Sequence, residues 1–356
     1  MESTRKAALD RGPTRSVQES SGFCAADVTS ASAIELADIP NRQSEHVSPT
    51  VAILLCTYQG QRYLASQLDS FAAQSYSNWT VVASDDGSQD DTRSILEAYR
   101  ATWGDDRLSI HSGPGAGFAA NFMSLTCRAA INAHYYAYSD QDDIWQPDKL
   151  RRALDRLRTV PKEVPALYCS RTRIVDADNR EIGLSPLFAK PPGFANALMQ
   201  NLAGGNTMVF NDAACALLRA AGEDVDVAVN DWWVYLVVSG CGGKVFYDAC
   251  PTLRYRQHGA NLIGMNSNWR ARLARMKCLW QGQYRTWNDR NILALQRLRT
   301  QLSPESRKVL DRFAAARNSW LFPRLIGLKR SGIYRQTTFG NLALVAGAIF
   351  KKGQTQ

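Results

Sequence analysis

The run Val-Ala-Ile-Leu-Leu-Cys at residues 51–56 most narrowly limits the fold, because every one of its side chains is apolar. A strand with one face in water would alternate apolar and polar residues. A short, continuous apolar run is instead typical of a strand buried on both faces of a parallel sheet. We therefore expect residues 51–56 to form a central strand.

Helix and strand patterns alternate from residue 50 to residue 139. Apolar residues recur at helical spacing over residues 60–75, and further helices are indicated around residues 90–99 and 122–129. Short strands separate them at residues 80–83, 108–110 and 135–139. This alternation indicates βαβ units, so the predicted fold is α/β with a mixed, mostly parallel sheet and flanking helices.

Two later elements complete the predicted domain. An apolar helix is expected to begin at residues 230–233, Asn-Asp-Trp-Trp. Asp231 would be either its N-cap or a carboxylate placed to accept a proton. A strand beginning near Lys244 is expected to end in the segment Arg-Tyr-Arg-Gln-His at residues 254–258.

Composition excludes several protein classes. The chain has 356 residues, 45% of them hydrophobic, which is enough to bury a sizeable core. No run of eighteen apolar residues is present, so a spanning helix is not expected. The polar N-terminus does not resemble a secretory signal. The eight cysteines form no Cys-x-x-Cys pair, which argues against a zinc site and favours free thiols in a reducing compartment.

The net charge of +9 is concentrated at the C-terminal end. Residues 265–356 contain 18 Lys and Arg but only three acidic residues, whereas the remainder has 24 basic and 30 acidic residues. A basic stretch this dense favours phosphate, on lipid headgroups or on nucleic acid. No nucleic-acid recognition motif accompanies it, so nucleic acid is not an expected partner.

Three regions follow from these patterns. Residues 1–48 are polar, have no clear period and are expected to be a disordered leader. Residues 49–265 form the predicted catalytic domain, with halves at 49–143 and 144–265. Residues 266–356 are expected to be basic amphipathic helices with tryptophans such as Trp269 and Trp280, which favour an anionic membrane surface. Alternatively, these helices pack on the domain and their arginines face water.

Polar clusters follow three of the predicted strands. They are Thr57-Tyr58, Asp85-Asp86 and the segment Asp140–Asp143. Ligands of such sheets bind beyond the carboxyl ends of the strands. We therefore expect these clusters to meet at one edge and to form a site.

Asp140-Gln141-Asp142-Asp143 is the strongest chemical signal. Three carboxylates within four residues repel one another unless a cation or several donors balance them. Mg²⁺ or Mn²⁺ suits an oxygen-rich site that shares its coordination with a diphosphate. The alternative is a solvated acidic turn in which Asp148 caps the next helix.

Each of the remaining candidate sites is, by itself, a weaker signal than the acidic segment. The segment Asp85-Asp86-Gly87-Ser88 is either only a turn, or a turn in which one of the two carboxylates accepts a hydrogen bond from the N–H group of a nucleobase. His258 is either structural or, with Arg256, a diphosphate or metal contact. The glycines at 113, 115 and 117 lack a Walker lysine and follow the third strand, which excludes a P-loop.

Together these segments resemble the inverting family-2 glycosyltransferases, which have the Rossmann-like GT-A fold, and within them bacterial rhamnosyltransferases of surface-polysaccharide assembly. The matching segments occur in the family's order over residues 50–265: ILLCTY at 53–58, ASDDGS at 83–88, YSDQDDIW at 138–145, DWW at 231–233 and YRQHG at 255–259. Several linked motifs make a chance match improbable.

The resemblance implies a role for each matching residue. Thr57, Tyr58 and Asp86 would hold the nucleotide. Asp140 and Asp142 would be the two carboxylates of the D-x-D motif, with Asp142 the more direct metal ligand. The remaining roles are a catalytic base at Asp231, a donor-diphosphate contact and possible metal ligand at His258 assisted by Arg256, and an acceptor pocket beginning at Gly205-Asn206-Thr207.

The resemblance also implies partners. The donor would be a nucleotide sugar, with dTDP-β-L-rhamnose favoured, and the acceptor a lipid-linked oligosaccharide at the cytoplasmic face of the plasma membrane. Asn230, where relatives often carry Glu or His, and Cys56, where a hydroxyl residue is frequent, depart from the family pattern. The alternatives are a UDP-hexose-dependent transferase and a catalytically silent nucleotide-sugar-binding scaffold.

Overall fold

A computed structural model of the protein describes residues 48–258 and 283–349. The predicted leader lies outside these residues except at its last position. The predicted membrane-facing Trp269 and Trp280, and the lysines at 351 and 352, also lie outside them.

Seven strands form the main sheet, in the spatial order β10-β6-β9-β4-β1-β2-β3. Strand β9 pairs antiparallel with β4 and β6, and the other neighbours are parallel. The mixed, mostly parallel sheet confirms the predicted fold class. The strands of this sheet are β1 (Val51–Thr57), β2 (Trp79–Asp85), β3 (Leu108–Ser112), β4 (Tyr135–Ser139), β6 (Ala166–Ser170), β9 (Val209–Asn211) and β10 (Lys244–Asp248).

A second, smaller sheet has the order β5-β11-β7-β8. Its strands are β5 (Ile144–Trp145), β7 (Arg173–Val175), β8 (Glu181–Leu184) and β11 (Leu253–Arg256). Strand β5 directly follows the acidic turn and pairs with β11, which ends two residues before His258. The small sheet therefore holds the two ends of the candidate site together.

Eleven α-helices are found within the described residues. They are α1 (Leu64–Ala72), α2 (Thr92–Trp103), α3 (Phe118–Cys127), α4 (Lys149–Leu157), α5 (Phe194–Ala197), α6 (Asp212–Ala221), α7 (Asn230–Gly240), α8 (Gln283–Arg297), α9 (Pro304–Asn318), α10 (Leu321–Arg330) and α11 (Thr338–Ile349). A single 3₁₀ turn at Gly205–Thr207 precedes β9.

The side chains of β1 divide the core into two layers. Val51, Ile53 and Leu55 belong to a cluster with α1, α2 and α4, whereas Leu54 and Cys56 belong to a cluster with α3, α6 and α7. All seven residues of the strand are buried. The continuous apolar run therefore has the physical cause predicted for it, which is burial on both faces.

The predicted strand from Lys244 towards His258 is two strands in different sheets. Strand β10 ends at Asp248, and β11 begins at Leu253. Asp248 accepts a hydrogen bond from the main chain of Cys250, and Pro251 has no N–H to continue a ladder. The break redirects the chain towards the acidic turn.

The C-terminal helices differ in how they pack. Leu295 of α8 and Leu298 just after that helix, with Leu310 and Phe313 of α9, are buried in the cluster that contains α7. In contrast, α10 has no buried residue, and Ala348 is the buried residue of α11. Helices α8 and α9 therefore pack on the domain, which was the alternative to membrane contact. Helices α10 and α11 leave apolar side chains exposed.

No helix of the described part of the chain is both long and apolar enough to cross a membrane. The cysteines in these residues, among them Cys56 and Cys169, are free thiols.

The Asn211→Ala variant tests the joint between β9, β6 and α6. The Asn211 side chain accepts hydrogen bonds from the main-chain N–H groups of Ala166 and Ala214 and donates one to Val164 O. Because truncation leaves these buried groups unpaired, we expect the free energy of unfolding to fall by about 2–4 kcal/mol in urea denaturation. The exposed Asn132→Ala control should change it by less than about 0.5 kcal/mol, and an equal loss in both variants would contradict this account.

Candidate active site

The carboxyl ends of β1, β2 and β4 meet at one edge, as predicted. The Thr57 hydroxyl donates to Asp85 Oδ1 at 2.9 Å and thereby links β1 to β2. The main-chain N–H of Tyr58 donates to Gln141 Oε1, and Gln141 Nε2 donates back to Tyr58 O, both at 2.8 Å. This reciprocal pair fastens the acidic turn to the end of the central strand.

Asp86 organises the glycine-rich loop before α3. Its carboxylate accepts hydrogen bonds from Gly115 N at 2.7 Å and Gly117 N at 2.9 Å. Both glycines have positive φ, +67° and +88°, which side-chain-bearing residues rarely adopt. The sequence excluded a phosphate loop here but did not indicate that these glycines hold Asp86. The nearby Tyr58 side chain is 58% exposed and available to a planar ligand.

Asp142 and His258 form a close pair at this edge. His258 Nε2 lies 2.7 Å from Asp142 Oδ2, and both side chains are about 15% exposed. The Tyr63 ring lies against His258 and Arg256, with its centroid 4.9 Å from that of His258 and 4.5 Å from the Arg256 guanidinium carbon. Sequence reasoning assigned no role to Tyr63, whose apolar spacing indicated only a helix.

Arg256 is buried beneath the acidic turn, with 4% of its surface exposed. Its Nε donates to Asp142 O and its guanidinium also donates to Ala177 O, both at 3.0 Å. Its main-chain N–H donates to Asp143 Oδ1 at 3.1 Å. Arg256 therefore supports the backbone that carries Asp142, and its donor-diphosphate contact stays a prediction.

Asp231 lies in the first turn of α7, but it is not the N-cap. The N-cap is Val229, and the helix has no side-chain cap, so the capping interpretation is wrong. The Asp231 carboxylate accepts hydrogen bonds from Gly205 N at 3.0 Å and from Trp232 N. Burial raises the pKa of Asp231 to about 6, although hydrogen bonds from Trp232, Gly205 and Asn201 oppose the shift. A carboxylate with this pKa can accept a proton near neutral pH.

Negative charge accumulates at the edge. Burial raises the pKa of Asp140, and the charges of Asp142 and Asp231 raise it further. Asp140 is therefore close enough to interact electrostatically with both Asp142 and Asp231. A cation bound at this edge would relieve their repulsion.

The residues present fit a divalent cation that is shared with a ligand. Within residues 48–258 and 283–349, no three His, Cys, Asp or Glu side chains form a metal-binding group, so Asp140, Asp142 and His258 are not assembled as a three-residue site. Asp142 and His258 do lie together, and they supply a carboxylate oxygen and an imidazole nitrogen. Mg²⁺ and Mn²⁺ can be held by one or two protein groups when phosphate oxygens and water complete the shell.

Asp143 belongs to the acidic run, but no separate function was predicted for it. It is fully buried and accepts hydrogen bonds from Asn206 Nδ2 and from the main chain of Arg256. Lys149 is also fully buried, with its Nζ 3.6 Å from the Trp145 ring centroid. Burial lowers the pKa of Lys149 to about 7, while the Asp143 charge opposes that shift.

The two departures from the family pattern lie inside the protein. Asn230 is buried beside Asp231, and its Nδ2 has no hydrogen-bond partner among the described residues. Cys56 is buried at the end of β1, and burial raises the pKa of its thiol well above the ordinary value. Cys56 is therefore a neutral packing residue.

Comparisons of the amino-acid sequence identify proteins to which this chain is similar. Residues 52–225 match the family model described as "Glycosyl transferase family 2". The chain is 28% identical over 243 residues to dTDP-rhamnosyl transferase RfbG of Shigella flexneri, covering 65% of this chain and 81% of that protein. It is 23% identical over 247 residues to the uncharacterized glycosyltransferase RT0329 of Rickettsia typhi, covering 66% and 71%.

Two solved structures are similar at low sequence identity. The S. aureus TarS 1–349 structure has a TM-score of 0.47 and 16% identity and covers 80% of this chain and 92% of that one. Mannosyltransferase PcManGT from Pyrobaculum calidifontis, solved with GDP-Man and Mn²⁺, has a TM-score of 0.44 and 18% identity, covering 86% and 88%.

The family match spans β1 to the residues just before α7, and it therefore contains the acidic turn, Asp86 and the glycine-rich loop. Over residues 52–225, just under half of its length, the chain is therefore similar to glycosyl transferase family 2.

Proposed function

We propose that the protein is an inverting, metal-dependent glycosyltransferase with Asp231 as its catalytic base. One observation carries this proposal: a carboxylate whose pKa is raised to about 6 shares the site edge with the Asp142–His258 pair. The first group suits proton removal from an acceptor hydroxyl. The second suits the departing diphosphate of a nucleotide sugar.

The acceptor hydroxyl is a weak nucleophile, because its pKa lies far above neutral. Asp231 takes the proton as the hydroxyl oxygen attacks the anomeric carbon, and the bond from that carbon to the diphosphate oxygen breaks. A single in-line displacement inverts the anomeric centre. Gly205 N and Trp232 N hold the carboxylate in place during this step.

The nucleotide would lie against Thr57, Tyr58 and Asp86 at the ends of β1 and β2. Asp142 and His258, with Asp140 nearby, would hold Mg²⁺ or Mn²⁺. Such an ion supplies positive charge to the departing diphosphate. Arg256 keeps the Asp142 main chain in place through its contact with Asp142 O.

The favoured donor is dTDP-β-L-rhamnose, which would give an α-L-rhamnosyl product. The support is the resemblance of the motifs and the 28% identity to dTDP-rhamnosyl transferase RfbG. A UDP-hexose donor is the alternative within the same reaction class. The proposed acceptor is a lipid-linked oligosaccharide.

The exposed surface of α10 and α11 supports a membrane location. Trp320 is 65% exposed, and Phe339 and Leu342 are 72% and 63% exposed. The exposed cations Lys329 and Arg330 end α10. Apolar side chains flanked by cations favour the interface of an anionic membrane. We place the protein peripherally on the inner face of the plasma membrane, where a lipid-linked acceptor would be available.

The Asp231→Asn variant tests the proposed base. The amide cannot accept a proton, so we expect kcat to fall by about 10²–10⁴-fold while donor affinity is retained. In the unaltered protein, kcat/KM should fall as the pH drops below the Asp231 pKa of about 6, because the base becomes protonated. Steady-state kinetics between pH 5 and 8 would check both points, and a flat profile with an active variant would exclude Asp231 as the base.

Donor turnover tests the reaction class. Purified protein should release dTDP from dTDP-rhamnose in Mg²⁺ or Mn²⁺ and lose that activity in EDTA or in Asp142→Ala. Release of UDP from a UDP-hexose instead would establish the alternative donor. Tight binding of a nucleotide sugar with no turnover of any donor, unchanged by Asp231→Ala, would indicate a silent scaffold.

Vesicle co-sedimentation tests the membrane location. The Phe339→Ser, Leu342→Ser, Val345→Ser triple variant should lose binding to phosphatidylglycerol-containing vesicles. The control, Ile182→Ser, Leu184→Ser, Leu187→Ser, changes three other exposed apolar residues, in β8 and just after it, and should bind normally. Equal binding by both triple variants would contradict the assignment. Salt-sensitive binding to duplex DNA without vesicle binding would favour nucleic acid.

A further inference from the structure

The buried carboxylate of Asp143 contacts two separate segments of the chain. Its Oδ2 accepts a hydrogen bond from Asn206 Nδ2 in the 3₁₀ turn, and its Oδ1 accepts one from Arg256 N in β11, at 3.1 Å. Asp143 and Asn206 are almost entirely inaccessible to solvent. No substrate can therefore reach the Asp143 carboxylate directly.

Each segment leads to one part of the proposed catalytic machinery. On one side, Gly205 precedes Asn206 and donates its N–H to Asp231 Oδ2 at 3.0 Å. On the other side, Arg256 lies two residues before His258, whose Nε2 lies 2.7 Å from Asp142 Oδ2. The Asp143 side chain therefore connects the turn that positions Asp231 with the strand that leads to the Asp142–His258 pair.

We propose that Asp143 is a positioning residue that sets the separation between Asp231 and the Asp142–His258 pair. This inference rests on the proposed function, because an in-line displacement needs its base and its leaving group on opposite sides of one carbon. A misplacement of about 1 Å between such groups can cost about 10²-fold in rate. The two hydrogen bonds of Asp143 hold that distance.

The Asp143→Asn variant leaves residue 143 with one acceptor atom in place of two. Both partners of Asp143, Asn206 Nδ2 and Arg256 N, are donors. An amide accepts through its oxygen alone, so the variant keeps both contacts only where the Asn206 amide also turns and accepts through its Oδ1. The Asn206→Asp variant breaks the contact between the two side chains, because it places two carboxylates against each other.

The exchange of the two side chains restores the contact. In the Asp143→Asn, Asn206→Asp double variant, the amide NH₂ of residue 143 donates to the carboxylate of residue 206. Its oxygen can still accept from Arg256 N. The exchange conserves the formal net charge and the number of side-chain atoms, so a recovery of rate reports the contact itself.

The experiment compares both single variants with the exchange variant, using the donor that the unaltered protein turns over. We expect Asn206→Asp to lower kcat by about 10–100-fold with little change in donor KM, Asp143→Asn to lower it by less, and the exchange to return kcat to within about threefold. Thermal unfolding should show the same pattern of loss and recovery. Because unfolding is measured without donor or metal, it reports the contact independently of turnover.

Asp248→Asn is the matched control for loss of a structural carboxylate. Asp248 accepts hydrogen bonds from Arg152 and Tyr168 at the end of β10. This variant should lower the unfolding temperature without lowering kcat in the folded protein. Asn206→Ala removes the donor without adding charge and replaces either single variant that does not fold.

Three outcomes would overturn the positioning role. They are a folded Asn206→Asp variant with unaltered kcat, an exchange variant that recovers stability but not kcat, and a kcat loss in Asp248→Asn equal to that in Asn206→Asp. If the unaltered protein turns over no donor, the proposed function has failed, and the positioning role fails with it. An active unaltered protein with unaffected variants refutes the positioning role alone.

Discussion

Burial of β1 on both faces is the constraint on which the rest of the structure depends. A strand with no wet face must lie inside the sheet, between β2 and β4, with helices on either side. Its carboxyl end then lies beside the ends of both neighbours. The Thr57–Asp85 and Tyr58–Gln141 contacts are made at this edge. The position of the site is therefore a consequence of the core.

The site then has to hold several carboxylates in partly buried surroundings. The protein balances them largely with main-chain N–H groups, at Asp86, Asp143 and Asp231. Arg256 and His258 add positive or donating groups next to Asp142. Burial raises the pKa of Asp140, and the charges of the neighbouring Asp142 and Asp231 raise it further. Because the negative charge is not fully balanced, this edge of the sheet is suited to bind a cation together with a diphosphate.

Much of this arrangement could be predicted from the sequence, because apolar periodicity and strand-end chemistry are local signals. The strands from Val51 to Ser139, the helix at Asn230 and the convergence of the polar clusters are of this kind. The break at Pro251 was missed, since the apolar pattern continues through it while the hydrogen-bond ladder cannot. The roles of Asp143, Tyr63 and the glycine-rich loop depend on contacts between distant segments, which no local pattern encodes. The family resemblance supplied proposed roles for Asp231 and His258 that spacing alone left open.

Main-chain donors also affect which sequence changes the site can tolerate. The N–H of residue 256 reaches Asp143, and the N–H of residue 232 reaches Asp231, whatever side chain those positions carry. Proline is the one residue type that would abolish either bond, because it lacks the N–H. Divergence at position 232 is consequently limited by the packing of the buried Trp232, and not by the need to hold a carboxylate. The side chains that line this site could therefore change during evolution while its acidic groups keep their positions.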